Sequence, residues 1–311
     1  MFRNIFFILI ILLLISTKAF CVKIEIISKV NNKIITNQDV VDEINYLKFL
    51  NPKLEEIQDL TTLNSLGISS ITKEIIKREE LEKNLDINKD YGIYEKILED
   101  LIIKKKVKNK NQLNNLIKSN NLNYDNVLKK LRIEAIWNEF IYEKYKKNIK
   151  INEDYLIKRI RDQKNNQKDK FNYFLLEILF EVNNNETLQN KIELIKSSIK
   201  EIGFKNTANR YGISDSAKFG GEIGWIKETQ MSDVILNKIK DLEINNISDV
   251  IQTPSGYLIL MISKKEKIIE PFDEKKNLSL LKNYETNRQL NQFSLIHYKR
   301  LKKNSLINEY K

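Results

Sequence analysis

From Lys23 onward the apolar positions first come in short, closely spaced groups. Ile24, Ile26, Ile27 and Val30 lead into Asn31-Asn32, and Ile34 and Ile35 follow, so a β-hairpin is predicted. Thr36 or Asn37 then caps a helix in which Val40, Ile44 and Leu47 recur at helical spacing. That spacing persists to about Ile160, through Ile71 and Ile75, Ile93, Ile97 and Leu101, Leu113, Leu116 and Ile117, then Val127, Leu131, Ala135 and Ile141. Polar breaks such as Asn51-Pro52 and Asn109 to Asn111 separate the helices. Residues 22–160 therefore read as a helical domain, and no catalytic constellation stands out in it.

The charged stretch RDQKNNQKDK (161–170) reads as a linker, after which the period changes. Tyr173 to Phe180 (YFLLEILF) is a nearly continuous apolar strand. Helices over Glu186 to Ile202 and Phe204 to Tyr211, a strand at Glu222 to Ile226, a third helix from about Ser232 to Asp241, and strands at Ile247 to Gln252 and Gly256 to Ile262 follow. Thr253-Pro254-Ser255-Gly256 has the composition of a tight turn joining the last two. The order βααβαββ over 171–266 predicts an α+β unit with helices on an antiparallel sheet. Residues 267–311 hold one long amphipathic pattern beyond Pro271 (Leu278, Leu281, Tyr284, Phe293, Ile296) running to about Lys303, with a short strand within Ser305 to Tyr310. A lone helix of that length leaves its apolar face uncovered, so it is expected to dock on the N-terminal helices.

The first residues carry a different signal. Arg3 precedes an unbroken apolar run, IFFILIILLLI (5–15), and Ala19-Phe20-Cys21 follow. The run is too short for the hydrocarbon core of a bilayer and reads as an export signal over 1–21, with an uncleaved anchor and a buried helix as the competing readings. Cleavage after Cys21 would leave a chain with no cysteine and no disulfide. The formal charge of +11, from 53 Lys plus Arg against 42 Asp plus Glu, is spread along the chain. A nucleic-acid binder concentrates basic residues on one face, and the densest run, KKKVKNK at Lys104 to Lys110, reads as a solvated helix end or loop.

Of eight glycines, six (Gly203, Gly212, Gly220, Gly221, Gly224, Gly256) fall in one stretch around KFGGEIGW. Together with EILF, Phe204, SDSAKFGGEIGW, Met231 and INNISDVIQTPSGYLIL, that stretch resembles the parvulin family of peptidyl-prolyl isomerases over Phe171 to Lys265. The whole arrangement, with signal, hairpin, helical domain and C-terminal helix, is similar to the SurA family of periplasmic chaperones, with one parvulin domain. The resemblance implies an apolar proline pocket at Ile223, Met231 and Ile235, with Met231 in the third helix and Leu258 beside it. It also implies two histidines facing each other across the sheet, whose positions are Glu177 and Leu258 in this chain. Ser214 stands where the family has Cys or Asp, and Thr253 and Ser255 keep hydroxyls near the strand turn. Isomerisation by this family needs no nucleophile, cofactor or metal. The only histidine, His297, falls in the C-terminal helix, where a surface or packing role is expected. Glu177, inside an apolar strand, is expected at a substrate-facing position or paired with a lysine.

Two functions follow from the resemblance. One is a periplasmic holdase for unfolded outer-membrane or exported proteins, with weak or absent isomerase activity, no nucleic-acid partner and no stable membrane span after signal cleavage. The other is a working prolyl isomerase that uses hydroxyls in place of imidazoles.

Overall fold

The computed structural model describes residues 23–89, 92–165, 170–182, 186–268 and 273–310. The apolar run read as an export signal, and Pro271, lie outside these residues. Strands β1 (Ile26–Val30) and β2 (Lys33–Thr36) form the expected hairpin, with Asn31 in the left-handed region at the turn. Thr36 starts α1 (Asn37–Leu50) with a reciprocal cap: its hydroxyl accepts from the Asp39 amide, and the Asp39 carboxylate accepts from the Thr36 amide. The same chemistry sets the starts of α2 (Leu60–Glu82), α4 (Lys110–Ser119) and α5 (Tyr124–Tyr145), where Asp59, Asn109 and Asn123 accept from the first turn. Between α2 and α4 lies α3 (Ile93–Lys105), and the KKKVKNK run covers its end and the loop that follows. Tyr46, Phe49, Leu50, Leu98, Leu101, Leu113 and Ile117 close one core among these helices.

Helix α6 (Glu153–Asn165) overruns the stretch expected to be a linker. Nothing in Arg161 to Asn165 breaks a helix, and Leu156 and Ile160 anchor the preceding turns by burial against Leu281. Beyond it come β3 (Phe171–Phe180), α7 (Leu188–Tyr211), β4 (Glu222–Lys227), α8 (Asp233–Ile239), β5 (Ile251–Thr253) and β6 (Gly256–Lys267). Gly203, at φ 80° and ψ 163°, splits α7 into the two expected segments, because that backbone geometry is open only to glycine. The βααβαββ order thus folds as predicted, into an antiparallel sheet of order β4-β3-β6-β5. Strand β3 is apolar on both sides because both are covered. Leu176, Ile178 and Phe180 pack with Ile195, Phe204 and Ala208 of α7, while Tyr173 and Leu175 pack with Met231, Leu260 and Ile262 on the other face. One strand is shorter than expected: Ile247 makes a single bridge to Met261, and the Ser248 hydroxyl takes the Leu260 amide, so the regular ladder begins only at Ile251.

The last elements return to the first. Strand β7 (Ile307–Glu309) pairs with β1, giving a sheet of order β2-β1-β7. Before it, α9 (Glu274–Lys303) packs its early turns on α6 through Leu281 and its late turns on α2 and α5. There the Trp137 indole donates to Ser294 at 2.8 Å inside the core. His297 is buried among the rings of Trp137, Phe140 and Tyr145, with Nδ1 2.8 Å from the Tyr145 hydroxyl and 2.9 Å from Arg300. Burial, with Lys144 and Arg300 nearby, holds its imidazole below the ordinary value. It is a packing residue.

Candidate functional site

The site begins with the register of β3 against β6. Glu177 lies opposite Leu260 and Leu179 opposite Leu258, so Glu177 and Leu258 share one face of the sheet as diagonal neighbours, two residues out of step. No side-chain hydrogen bond joins that pair, since leucine offers none. Instead the loop between α7 and β4 folds over Glu177. Its backbone amide donates to the Gly221 carbonyl at 2.8 Å, and a Cβ built on Gly221 would lie 2.2 Å from the Glu177 carbonyl oxygen. With φ at +77° as well, Gly221 is required for this close approach.

Once the loop is held there, its residues divide between two surfaces. Ser216 donates to the Glu177 carboxylate at 2.7 Å, and Ser214 lies 2.8 Å from Ser216. A hydroxyl pair, not a lysine, is therefore the partner of Glu177. Burial raises its carboxyl above the ordinary value, and Asp215 adds to the rise, against the hydrogen bonds from Ser216 and Ser214. Asp215 faces the N-terminal helices: it pairs with Lys73 at 2.6 Å and Lys77 at 3.1 Å, while Glu134 takes Lys77 at 2.6 Å and Lys218 at 3.0 Å. Lys77 is 1% exposed. Burial opposes ionisation of both carboxylates, and the surrounding ammonium groups overcome it, holding Asp215 well below its ordinary range and Glu134 at about 2. Phe219 packs against the helical core, with the Lys104 ammonium 3.2 Å from its ring centroid. The KFGG segment is thus a docking element between the two halves as well as a turn.

Beside it opens a cleft of about 990 Å³. All eight residues singled out from sequence (Glu177, Ser214, Ile223, Met231, Ile235, Thr253, Ser255, Leu258) line it, but in unequal roles. Met231 is wholly buried and forms part of the floor with Leu258 and Leu260. It ends the short turn Glu228–Gln230 just before α8, whereas the sequence suggested a place inside the helix. Ile235 lies on α8, partly buried against that floor. Ile223 and Trp225, each 40% exposed, project from β4 as the rim. The Thr253 hydroxyl is spent on its own turn, accepting from the Ser255 amide and donating to the Gly256 carbonyl. The Ser255 hydroxyl, by contrast, is buried and has no hydrogen-bond partner among the described residues.

The opposite wall was not legible as a site. It comes from α6 and α9, including Arg159, Tyr284 and Arg288. In sequence Arg159 lies at the end of the stretch read as helical, next to the charged run, and only the packing of α6 against α9 brings it into the cleft wall. Ser216 stands two residues from Ser214 in SDSAK, and the family's Cys or Asp position points to Ser214 alone.

Residues 178–264 match the Rotamase family, described as the PPIC-type PPIASE domain. The chain therefore carries a parvulin-type rotamase domain, built on the sheet and helices just described. It is similar along most of its length to two curated proteins. Foldase protein PrsA 2 of Bacillus anthracis is 27% identical over 235 residues, covering 72% of this chain and 78% of that one. Chaperone SurA of Hydrogenovibrio crunogenus is 24% identical over 286 residues, covering 84% of this chain, which spans 57% of that relative's length. Among solved structures, a SurA-like chaperone from Campylobacter jejuni is 16% identical, with 92% of this chain and 99% of that one covered and a TM-score of 0.37. The chain is thus similar to SurA and PrsA proteins around its matched parvulin segment. Among the described residues no helix is long and apolar enough to cross a membrane.

Proposed function

We propose that the chain is an exported chaperone that holds extended, apolar segments of unfolded client proteins, outer-membrane proteins among them, with its parvulin domain serving chiefly as a binding surface. The observation that carries this reading is the cleft itself. A rotamase pocket alone needs to hold a proline and its neighbours, whereas this cleft continues from the Met231 floor to α6 and α9 and has an apolar rim at Ile223 and Trp225. Covering such client segments before their strands pair is the physical task of a holdase. Isomerisation requires groups that favour the twisted amide over the planar one. The imidazole pair of active parvulins has no counterpart at Glu177 and Leu258, and the Thr253 hydroxyl is already engaged, so turnover is expected to be weak or absent.

A second reading, a working isomerase, is favoured by one observation. Among the described residues the Ser255 hydroxyl has no hydrogen-bond partner, and burial raises the Glu177 carboxyl above its ordinary value. Two assays separate the readings. Suppression of aggregation of an unfolded β-barrel protein, diminished by Met231→Ala, supports the holdase. A protease-free assay on a proline peptide giving a rate within about tenfold of an active parvulin, and lost in Glu177→Ala, would favour the enzyme.

A further inference from the structure

Arg159 is a cleft residue whose chemistry the reading above does not use. Its side chain is only 10% exposed, yet Nε and Nη2 are buried and donate to no acceptor among the described residues. Buried guanidinium donors are nearly always satisfied, because leaving one unmade costs as much as removing its partner. The neighbouring carboxylates do not meet that need. Asp233 approaches Nε only to 3.9 Å and is 74% exposed, and Glu285 is taken by Arg288 at 2.6 Å and Gln289 at 2.7 Å. The guanidinium is therefore a planar fork of donors, desolvated, in the lining of a cleft whose floor at Met231, Leu258 and Leu260 is apolar.

We propose that Arg159 is an anion anchor that binds a carboxylate of the client peptide, beside the apolar side chain seated over Met231. Arginine in this setting matches a carboxylate in two parallel hydrogen bonds, a geometry a neutral amide reproduces poorly. Arg159 and Met231 line the same cleft, so the bound carboxylate and the buried apolar side chain belong to one short extended segment. Such a carboxylate is either an Asp or Glu side chain or the free C-terminus of a client.

The proposal rests on the client-binding reading, and its test keeps the two apart. Fluorescent peptides carrying a phenylalanine-proline pair would be compared by anisotropy in four forms: Glu or Gln two residues from the proline, and a free or amidated C-terminus. The purified chain is expected to bind the charged form of one of these pairs about tenfold more tightly, and the pair that responds identifies the source of the carboxylate. Arg159→Met should erase that preference and leave the fully neutral peptide bound as before. Lys158→Met, the same loss of charge one residue away on the exposed side of α6, should keep it, which separates anchoring from the general attraction of a +11 chain. Arg159→Lys should weaken the preference severalfold, and it serves as the test if the methionine variant does not fold. Equal binding of charged and neutral peptides, or a preference that survives in both Arg159 variants, overturns the anchor alone. Failure of every peptide to bind overturns the client reading and the anchor with it.

Discussion

At Glu177 a carboxylate stands where an apolar strand would otherwise be complete. The hydroxyls of Ser216 and Ser214 offset part of the cost of its burial, and the raised carboxyl shows that they do not offset all of it. A folded value above the unfolded one means that the native state takes up a proton more readily than the unfolded chain. The penalty is then absent below about pH 4.5 and grows as pH rises through the folded value. Glu177→Gln keeps an acceptor for Ser216 and removes the charge. It is expected to be more stable than the parent by on the order of 1 kcal/mol at pH 7 and no more stable at pH 4, as read from urea midpoints. A gain at both pH values would show that charge is not the cause. The need for a partner was legible from the sequence, since a carboxylate in YFLLEILF must find one; which partner it finds was not, because the serines reach it only through the loop that Gly221 holds.

Among elements, the loop from Ser214 to Gly221 bears the most weight, and its two faces can be perturbed separately. Gly221→Ala would force a Cβ against the Glu177 carbonyl and place a side chain at positive φ. A loss of roughly 2–4 kcal/mol is expected, with the Glu177 amide exchanging faster with solvent. On the other face, Lys77→Met takes one cation from Glu134 and from the part-exposed Asp215, which keep Lys218 and Lys73, and a loss of about 1–3 kcal/mol is expected from denaturant titration. The depressed carboxylates also set an acid dependence. Their stabilisation is complete above ordinary carboxylate values and is lost as pH falls toward the value of about 2 for Glu134. Glu134→Gln should flatten the fall in stability between pH 5 and pH 3, and an unchanged slope would count against the network. Hydrophobic period and capping residues made the helices and strands readable, hairpin and split helix included. The charge network was not readable, because Lys73, Lys77, Glu134 and Asp215 are ordinary surface residue types whose pairing depends on how two separated stretches dock.

Taken as one molecule, the protein is two packed units that meet at the KFGG loop, along helix α9, and where Ile202, Asn206 and Asn209 of α7 lie against the end of α1 and the residues after it. Helix α9 touches α6 at one end and the Trp137 core at the other, and it supplies one wall of the cleft between them. Trp137→Phe, which removes the hydrogen bond to Ser294 and part of the ring contact with His297, is expected to cost about 1–3 kcal/mol and to loosen the late turns of α9. Faster proteolysis within residues 290–303 would report it, and an unaltered cleavage pattern would contradict the strap role of this helix. That the C-terminal helix needs a partner was legible in its apolar stripe. That its other side forms a wall of the binding cleft was not, because the wall exists only once α6 and α9 lie across from the sheet.

The pairing of β7 with β1 has a consequence in time. The first hairpin waits for the last strand, and Trp137 waits for Ser294, 157 residues later in the chain. At typical ribosomal speeds the delay is on the order of 10–30 s. The rotamase segment has its own closed cores and no such wait, so it should be finished first, a folded bead threaded on a nascent chain whose flanks are still open. Until its final residues emerge, the newborn polypeptide displays the same bare apolar flanks as the proteins it is proposed to protect.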